Sequence, residues 1–480
     1  MIGLSYKDVG LKCGVEIHQQ IDSHKLFCSC PSELRLDAPD IIVKRKIYAV
    51  AGETGKIDAA ASYEQSRARE FVFEAYSDTT CEVELDESPP AYINKEALTI
   101  ALQIALLFNA EPLATTQVMR KRVVNGSNTT GFQRTLMVAR NGYVTVGDKK
   151  IKIDSVCLEE DSARIIKQDQ KSATFRLDRL GVPLVEITTA PDIETPEEAK
   201  KTALKIGEVL RACQVKRGLG TIRQDVNLSI TNGARTEIKG VQEPALISKT
   251  IEKEIVRQIF MLRKQEKIEA TVRMAMPDGD SKFLRPLPGA ERMYPETDIP
   301  LIKIEKSEID EIKKNLPELK EDIISKLEEL DLHPELIKVL ISEDKVDLFN
   351  NLLTTTKANP STIAKTITLI PSSIQAHKKI SIDKLTDNVF SQVLSAVSQN
   401  KIPESSIEDV LISVCSGKDV NEVMSSFETL PLPQVEKIIK AIIEENKGAP
   451  FNALMGLSMG KLKGKAEGKV IAEIIKRLSG

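Results

Sequence analysis

The stretch Gly14-Val15-Glu16-Ile17-His18-Gln19-Gln20 decides how this chain is read. In a strand, successive side chains point to opposite faces. If Val15 and Ile17 are buried, Glu16 and His18 therefore share the other face. A carboxylate beside an imidazole suits a hard metal ion or a proton-transfer site. Histidine is scarce, with only His18, His24, His333 and His377 in the chain, so its place beside Glu16 carries weight. A strand with a plain polar solvent face is the competing reading, and two further segments weigh against it.

The first is Leu158-Glu159-Glu160-Asp161, which follows the alternating run Ile151 to Val156. Three adjacent carboxylates repel one another unless a cation or basic side chains neutralise them. The second is Gly181-Val182-Pro183-Leu184-Val185-Glu186-Ile187, where one carboxylate interrupts an apolar strand. A charge in that position is seldom buried without a partner. His18, Glu160 and Glu186 together supply the ligand types of a Mg²⁺ site that keeps water and shares a nucleotide phosphate.

These motifs, with Asp178-Arg-Leu-Gly-Val-Pro-Leu-Val-Glu186 and Arg235-Thr-Glu-Ile-Lys239, resemble the ordered motifs of the tRNA-dependent amidotransferase B/E family. Asn125-Gly-Ser-Asn-Thr-Thr-Gly-Phe-Gln133 and Arg285-Pro-Leu-Pro-Gly-Ala-Glu-Arg-Met-Tyr-Pro-Glu-Thr-Asp298 are similar to its archaeal E-type branch. The match runs from about Leu11 to the C-terminus. Members of that branch usually carry an insert resembling part of aspartyl-tRNA synthetase, between the helix near Arg257-Gln258 and Met276-Pro-Asp-Gly279. In this chain those landmarks nearly adjoin, so the insert is absent.

The resemblance implies an ATP-dependent carbon-nitrogen ligase that turns glutamate on mischarged tRNA(Gln) into glutamine, with ATP and Mg²⁺ as cofactors. The γ-carboxylate is phosphorylated, and ammonia from an asparaginase-like amidohydrolase, the D-type partner of this branch, displaces phosphate. His18, Glu160 and Glu186 then hold the metal, while Glu16 and Glu159 accept protons or support the ligands. Lys121 matches the family's active-site lysine. Ser127, Asn128, Gln133, Arg179, Arg223 and Asp225 are the expected nucleotide or substrate contacts. A noncatalytic tRNA-binding scaffold is the alternative, and a metal-dependent hydrolase working without ATP is a third reading.

Composition fits a cytoplasmic enzyme. The 67 basic and 70 acidic side chains nearly cancel, which removes any global pull toward nucleic acid and leaves RNA contacts to local patches. No partnership with DNA is expected. The longest apolar stretch, Ala97 to Ala110, is too short to span a bilayer and contains Gln103, so no membrane is expected either. Cys28-Ser-Cys30 with Cys81 offers three soft ligands, one short of the usual structural zinc set. Reduced thiols are the default reading there and zinc is the alternative.

The expected class is α+β, with a mixed α/β catalytic cradle over 1–300, an all-helical domain over 301–428 and a small helical tail over 429–480. Turn residues Asn141-Gly142 and Asn232-Gly233 separate short strands in the first part. Helices are expected over Lys95 to Leu107, Pro196 to Cys213 and Ser248 to Gln265. From Ala290 to Ser416 there is no glycine, and Ile309, Ile312, Leu316, Leu319, Ile323, Ile324, Leu327 and Leu330 recur as on one buried helical face. Prolines 317, 334, 360, 371 and 403 cut this region into short helices.

The tail gathers Lys461, Lys463, Lys465 and Lys469, a patch fit to contact tRNA phosphates. It also contains Gly456-Leu-Ser-Met-Gly460, which meets a nucleophile pattern but lacks the preceding strand that the motif requires.

Overall fold

The computed structural model describes residues 5–51, 55–289, 292–462 and 464–479, and the chain divides into two compact units, Met1–Leu319 and Lys320–Gly480. The class is α+β, a mixed sheet with helices followed by an all-helical region.

Ten strands form the main path of the first unit's large sheet: β1 (Lys12–Gln20), β2 (Met119–Arg122), β3 (Phe132–Val146), β4 (Lys149–Glu160), β5 (Pro183–Thr189), β6 (Ile222–Ser229), β7 (Thr236–Lys239), β8 (Thr271–Ala275), β9 (Ser281–Pro286) and β10 (Met293–Pro295). Their spatial order is β9-β8-β7-β6-β1-β5-β4-β3-β2-β10. The quoted stretch lies in β1, at the middle. Val15 and Ile17 are buried there, as the alternation requires.

The helices of this unit are α1 (Ala59–Ser66), α2 (Lys95–Leu107), α3 (Pro196–Arg211), α4 (Pro244–Arg263) and α5 (Lys306–Lys314). Local chemistry sets where they begin. Asn94 accepts from the Ala97 amide at the start of α2, and Thr195 accepts from Glu198 N before Pro196 opens α3. Each such cap is worth about 1 kcal/mol. Leu98, Ala101 and Ile104 of α2, with Ile206 and Leu210 of α3, share one core with Val15, Ile17, Ile151 and Ile187. One face of the sheet is therefore covered, and β1 sends Glu16 and His18 to the other.

The connectivity bends the sheet. β9 and β10 are consecutive in the chain yet lie at opposite ends of the order. Nine interstrand steps of ~4.8 Å would separate them by about 43 Å in a flat sheet. Seven residue steps from Pro286 to Met293 reach at most about 25 Å. The sheet must curl until its rims approach. Arg292 lies within electrostatic reach of both Lys121 on β2 and Arg285 on β9, so the hollow opens on the face that carries Glu16 and His18.

Two sequence expectations are corrected. Asn141-Gly142 is no turn but lies inside the long strand β3, where Asn141 takes φ 56° and falls outside the ladder between the pairs Arg140–Ser155 and Gly142–Ile153. Gly142 is needed there because a Cβ would sit 2.7 Å from the Phe108 carbonyl. The run from Ile309 to Leu330 is also not one face. Ile309, Ile312, Leu316 and Leu319 pack on the core of the first unit, whereas Ile323, Ile324, Leu327 and Leu330 pack on a core of the second.

In the second unit, short helices surround Leu336, Leu340, Phe349, Ile363, Leu394 and Leu411. Pro334 and Pro360 open two of them, capped by His333 and Asn359. The last three helices, Leu432–Glu445, Phe451–Leu462 and Gly468–Ser479, enclose their own core of Val435, Ile439, Leu454, Ile471 and Ile475. Among the described residues, no helix is long and apolar enough to cross a membrane.

Candidate active site

Charged and polar side chains cross the hollow face over seven neighbouring strands. The row runs from Glu237 and Lys239 on β7 through Arg223 and Asp225 on β6 to Glu16 and His18 on β1. It continues with Glu186 on β5, Glu159 on β4, Gln133 and Thr135 on β3, and Lys121 on β2. Ladder register places His18 opposite Glu186 on one side and Arg223 on the other, and Glu16 opposite Asp225.

His18 Nε2 lies 3.4 Å from Glu16 Oε1 and 3.3 Å from Glu186 Oε2. Lys121 bonds Glu159 and sits 3.5 Å from Glu186. Gln133 donates to Glu159 Oε2 at 3.0 Å, and Thr135 donates to Glu159 Oε1 at 2.8 Å. Lys239 joins Asp225 at 2.8 Å and Glu237 at 2.6 Å.

Crowding of buried carboxylates sets the protonation states. Burial, then Glu186, pushes the Glu16 carboxyl up to about 7. Burial alone would lower His18, but its hydrogen bond to Glu186 and the charges of Glu186, Glu16 and Glu159 lift it to about 9. Glu186 is held well below the ordinary range, since Lys121 and His18 outweigh its burial. The site thus pairs a carboxyl that titrates near neutrality with a fixed anion.

The expected metal set of His18, Glu160 and Glu186 does not assemble. Alternation along β4 sends Glu159 and Glu160 to opposite faces. Glu159 meets His18 and Glu186 in the hollow, whereas Glu160 is buried on the reverse side. There it accepts from Arg134 N at 3.1 Å and pairs with Arg134 Nη1 at 3.3 Å. Ligand atoms of His18, Glu159 and Glu186 lie within 4.8 Å of one another, as do those of Glu16, His18 and Asp225.

The other expected contacts divide. Gln133, Arg223 and Asp225 belong to the row. Arg223 donates to Asp161 Oδ1 at 2.7 Å, and Gln20 donates to Asp161 Oδ2 at 2.7 Å. Ser127, Asn128 and Arg179 gather at the end of β4, where Ser162 Oγ bonds Asn128 Oδ1 at 3.2 Å and Arg179 donates to the Ser162 carbonyl at 2.7 Å, and Arg179 meets the row at Asp161, 3.7 Å away, the carboxylate that Arg223 also holds. In the tail, Lys465 and Lys469 are exposed, and Lys461 pairs loosely with Glu445 at 3.5 Å. Lys463 lies outside the described residues. Ser458 is buried within a helix, so no nucleophile elbow exists there.

Cys28, Cys30 and Cys81 converge with Glu84, which sequence reading missed, into one group with ligand atoms within 4.8 Å. Cys28 donates to Glu84 Oε1 at 2.8 Å, and burial with the Glu84 charge pushes the Cys30 thiol up to about 12. Cys81-Glu82-Val83-Glu84 has the spacing of a two-ligand turn, the one signal that could have revealed Glu84.

Fold and site define a class of chain in which one curled sheet carries a charged, metal-competent row across its hollow face. A family model described as the GatB/GatE catalytic domain matches residues 11–310, and one described as the GatB domain matches 347–478. The chain belongs to the GatB/GatE family. The E-type subunit of glutamyl-tRNA(Gln) amidotransferase from Methanocaldococcus jannaschii is 36% identical over 624 aligned positions covering 99% of both chains. Its counterpart in Saccharolobus solfataricus is 31% identical and that in Saccharolobus islandicus 33%, each covering 99% of both chains. Because 624 positions exceed the 480 residues of this chain, the first relative carries a long stretch without a counterpart here.

Proposed function

We propose that this chain is the cytoplasmic transamidase subunit that converts glutamate on mischarged tRNA(Gln) to glutamine at the expense of ATP. The observation that carries this reading is the carboxylate group around His18 in the hollow of a GatB/GatE cradle, in a chain whose relatives bear that enzyme's name. A γ-carboxylate oxygen attacks the γ-phosphorus of ATP and ADP leaves. Ammonia then attacks the acyl carbon, phosphate departs, and the nitrogen passes its surplus proton to Glu16, whose carboxyl titrates near 7. Lys121 offsets negative charge on the transferring group.

One imidazole and two carboxylates suit a hard cation that retains water. We assign that set to His18, Glu159 and Glu186. When bound, Mg²⁺ neutralises phosphate oxygens. Gln133 and Thr135 orient Glu159 for that role. Ser127, Asn128, Arg179, Arg223 and Asp225 are assigned to nucleotide or substrate.

The proposal keeps a cradle, a helical domain and a tail over 429–480, and moves the first boundary from 300 to 319 because α5 packs on the cradle's core, with tRNA held by Lys461, Lys463, Lys465 and Lys469. Ammonia comes from an asparaginase-like partner of the D type. Cys28, Cys30, Cys81 and Glu84 have the donor chemistry of a closed zinc site.

The deciding experiment measures Mg²⁺-dependent ATP turnover and glutaminyl-tRNA formation with Glu-tRNA(Gln) and ammonium. Tight tRNA binding without turnover would leave only the scaffold reading. Turnover without ATP would favour a hydrolase.

A further inference from the structure

Arg285 stands at the rim of the cradle in an arrangement that the row of carboxylates does not satisfy. It pairs in register with Val272 on β8, which pairs with Glu237 on β7, so Arg285 faces the hollow on the same side as Glu237, two strands away. Its Nε is buried without a hydrogen-bond partner. Among the described residues, the carboxylates that act on it, Glu237, Glu64 and Asp58, are each engaged elsewhere. Glu237 holds Lys239 at 2.6 Å and Glu64 pairs with Arg67 at 3.4 Å. Asp58 accepts from Ala61 N at 3.0 Å and Gly289 N at 2.9 Å.

Arg292 comes from the far side of the short link and acts on both Arg285 and Lys121. Among the described residues, neither arginine has an ion pair. Two guanidinium groups repel at this range, and a buried donor without an acceptor is costly. Burial, then Arg292, holds the Arg285 guanidinium below its ordinary range. An anion between the two relieves both costs. Guanidinium forks match the oxygens of phosphate. Lys121 touches Glu159 and Glu186, so an anion that reaches Arg292 also reaches the metal-type set.

We propose that Arg285 and Arg292 form an anion site on the cradle rim that holds the polyphosphate of a nucleoside triphosphate. This rests on the reading that the chain uses ATP. Two fully formed guanidinium contacts pull the triphosphate toward β2 and leave the centre of the hollow to the acyl group.

The test uses the full chain and three readouts: KM for ATP in ammonium-dependent amidation, calorimetric affinity for inorganic tripolyphosphate, and tRNA affinity. Arg285→Gln and Arg292→Gln should each raise the ATP KM and weaken tripolyphosphate binding by at least roughly ten-fold, with tRNA affinity unchanged. Arg285→Lys should fall between, since it keeps charge and loses the fork. Melting curves check folding, and should Arg285→Gln not fold, Arg285→Lys and Arg292→Gln carry the comparison. Tripolyphosphate affinity equal to wild type in the folded variants overturns the site. Loss confined to tRNA assigns the pair to the RNA backbone and also overturns it. If the wild type forms product without ATP, the functional reading falls, while the tripolyphosphate comparison still decides the anion site.

Discussion

Glu159 and Glu160 are neighbours in the chain but serve opposite sides of one strand: Glu159 bonds Lys121 in the hollow, and Glu160 holds Arg134 behind it. Their amide variants should therefore fail differently. Glu159→Gln should abolish amidation with a near-wild-type melting temperature. Glu160→Gln leaves the buried Arg134 with Glu296 alone and should lower stability by about 1–3 kcal/mol. Kinetics and thermal melts on both variants check this, and equal stability in the two would contradict the face assignment.

Metal binding should be strongly pH-dependent. His18, raised from 6.5 to about 9, carries a proton at neutral pH in the metal-free chain, and a metal must displace it. Affinity for Mn²⁺ or Mg²⁺ should rise between pH 6.5 and 9 with proton release, read by calorimetry in buffers of different ionisation enthalpy. Stability of the metal-free protein should move oppositely. Both His18 and Glu16 have raised values, so their contribution is full below the unfolded pKa and is lost as pH climbs through about 7 for Glu16 and about 9 for His18. A flat metal affinity across that range would sink the ligand role of His18.

The cysteine group should bind zinc only with its fourth member. Purified chain should carry about one equivalent by elemental analysis, and Glu84→Ala or Cys30→Ser should lose most of it. Retention of zinc in Glu84→Ala would remove the glutamate from the ligand set.

Changing Lys461, Lys465 and Lys469 to Gln should weaken tRNA binding and reduce its dependence on salt by a slope of up to about one per lysine. ATP kinetics should stay unchanged. This substitution set is preferable to truncation after Pro450, which would strip two of the three helices from the core around Val435 and Ile439.

Ser458→Ala should leave amidation unaffected, because its hydroxyl is buried in a helix. Wild type and variant alike should use ammonium and not glutamine as nitrogen donor. Glutamine-dependent product from the purified chain would place a hidden nucleophile elsewhere.

Much of the cradle was legible in local chemistry. Glu16 and His18 could be placed on one face because Val15 and Ile17 fix the phase of β1. Asn94, Thr195 and Pro196 announce their helices. The phase of β4 was not readable: a register shift near Thr188 and Thr189, opposite Ser155 and Ile153, lies between its early apolar run and its acids. Counting from Ile151 and Ile153 puts Glu159 on the core face, whereas counting from Val156 and Leu158, beyond the shift, puts Glu160 there, and the second count is the one the strand follows. Asn141-Gly142 has a turn's composition, but pairing with β4 draws it into the sheet. Arg285 gains its meaning only when distant segments meet, and no local pattern encodes that.

The link from Pro286 to Met293 acts as a tether between the rims. A curled sheet whose end strands are joined by so short a link has a fixed maximum gape, so the width of the hollow is gauged by the number of residues in one loop. Glycines added there should loosen that gauge without touching any reacting group. Width of entry and chemistry could then vary separately over generations, the first through loop length and the second through the seven strands beneath it.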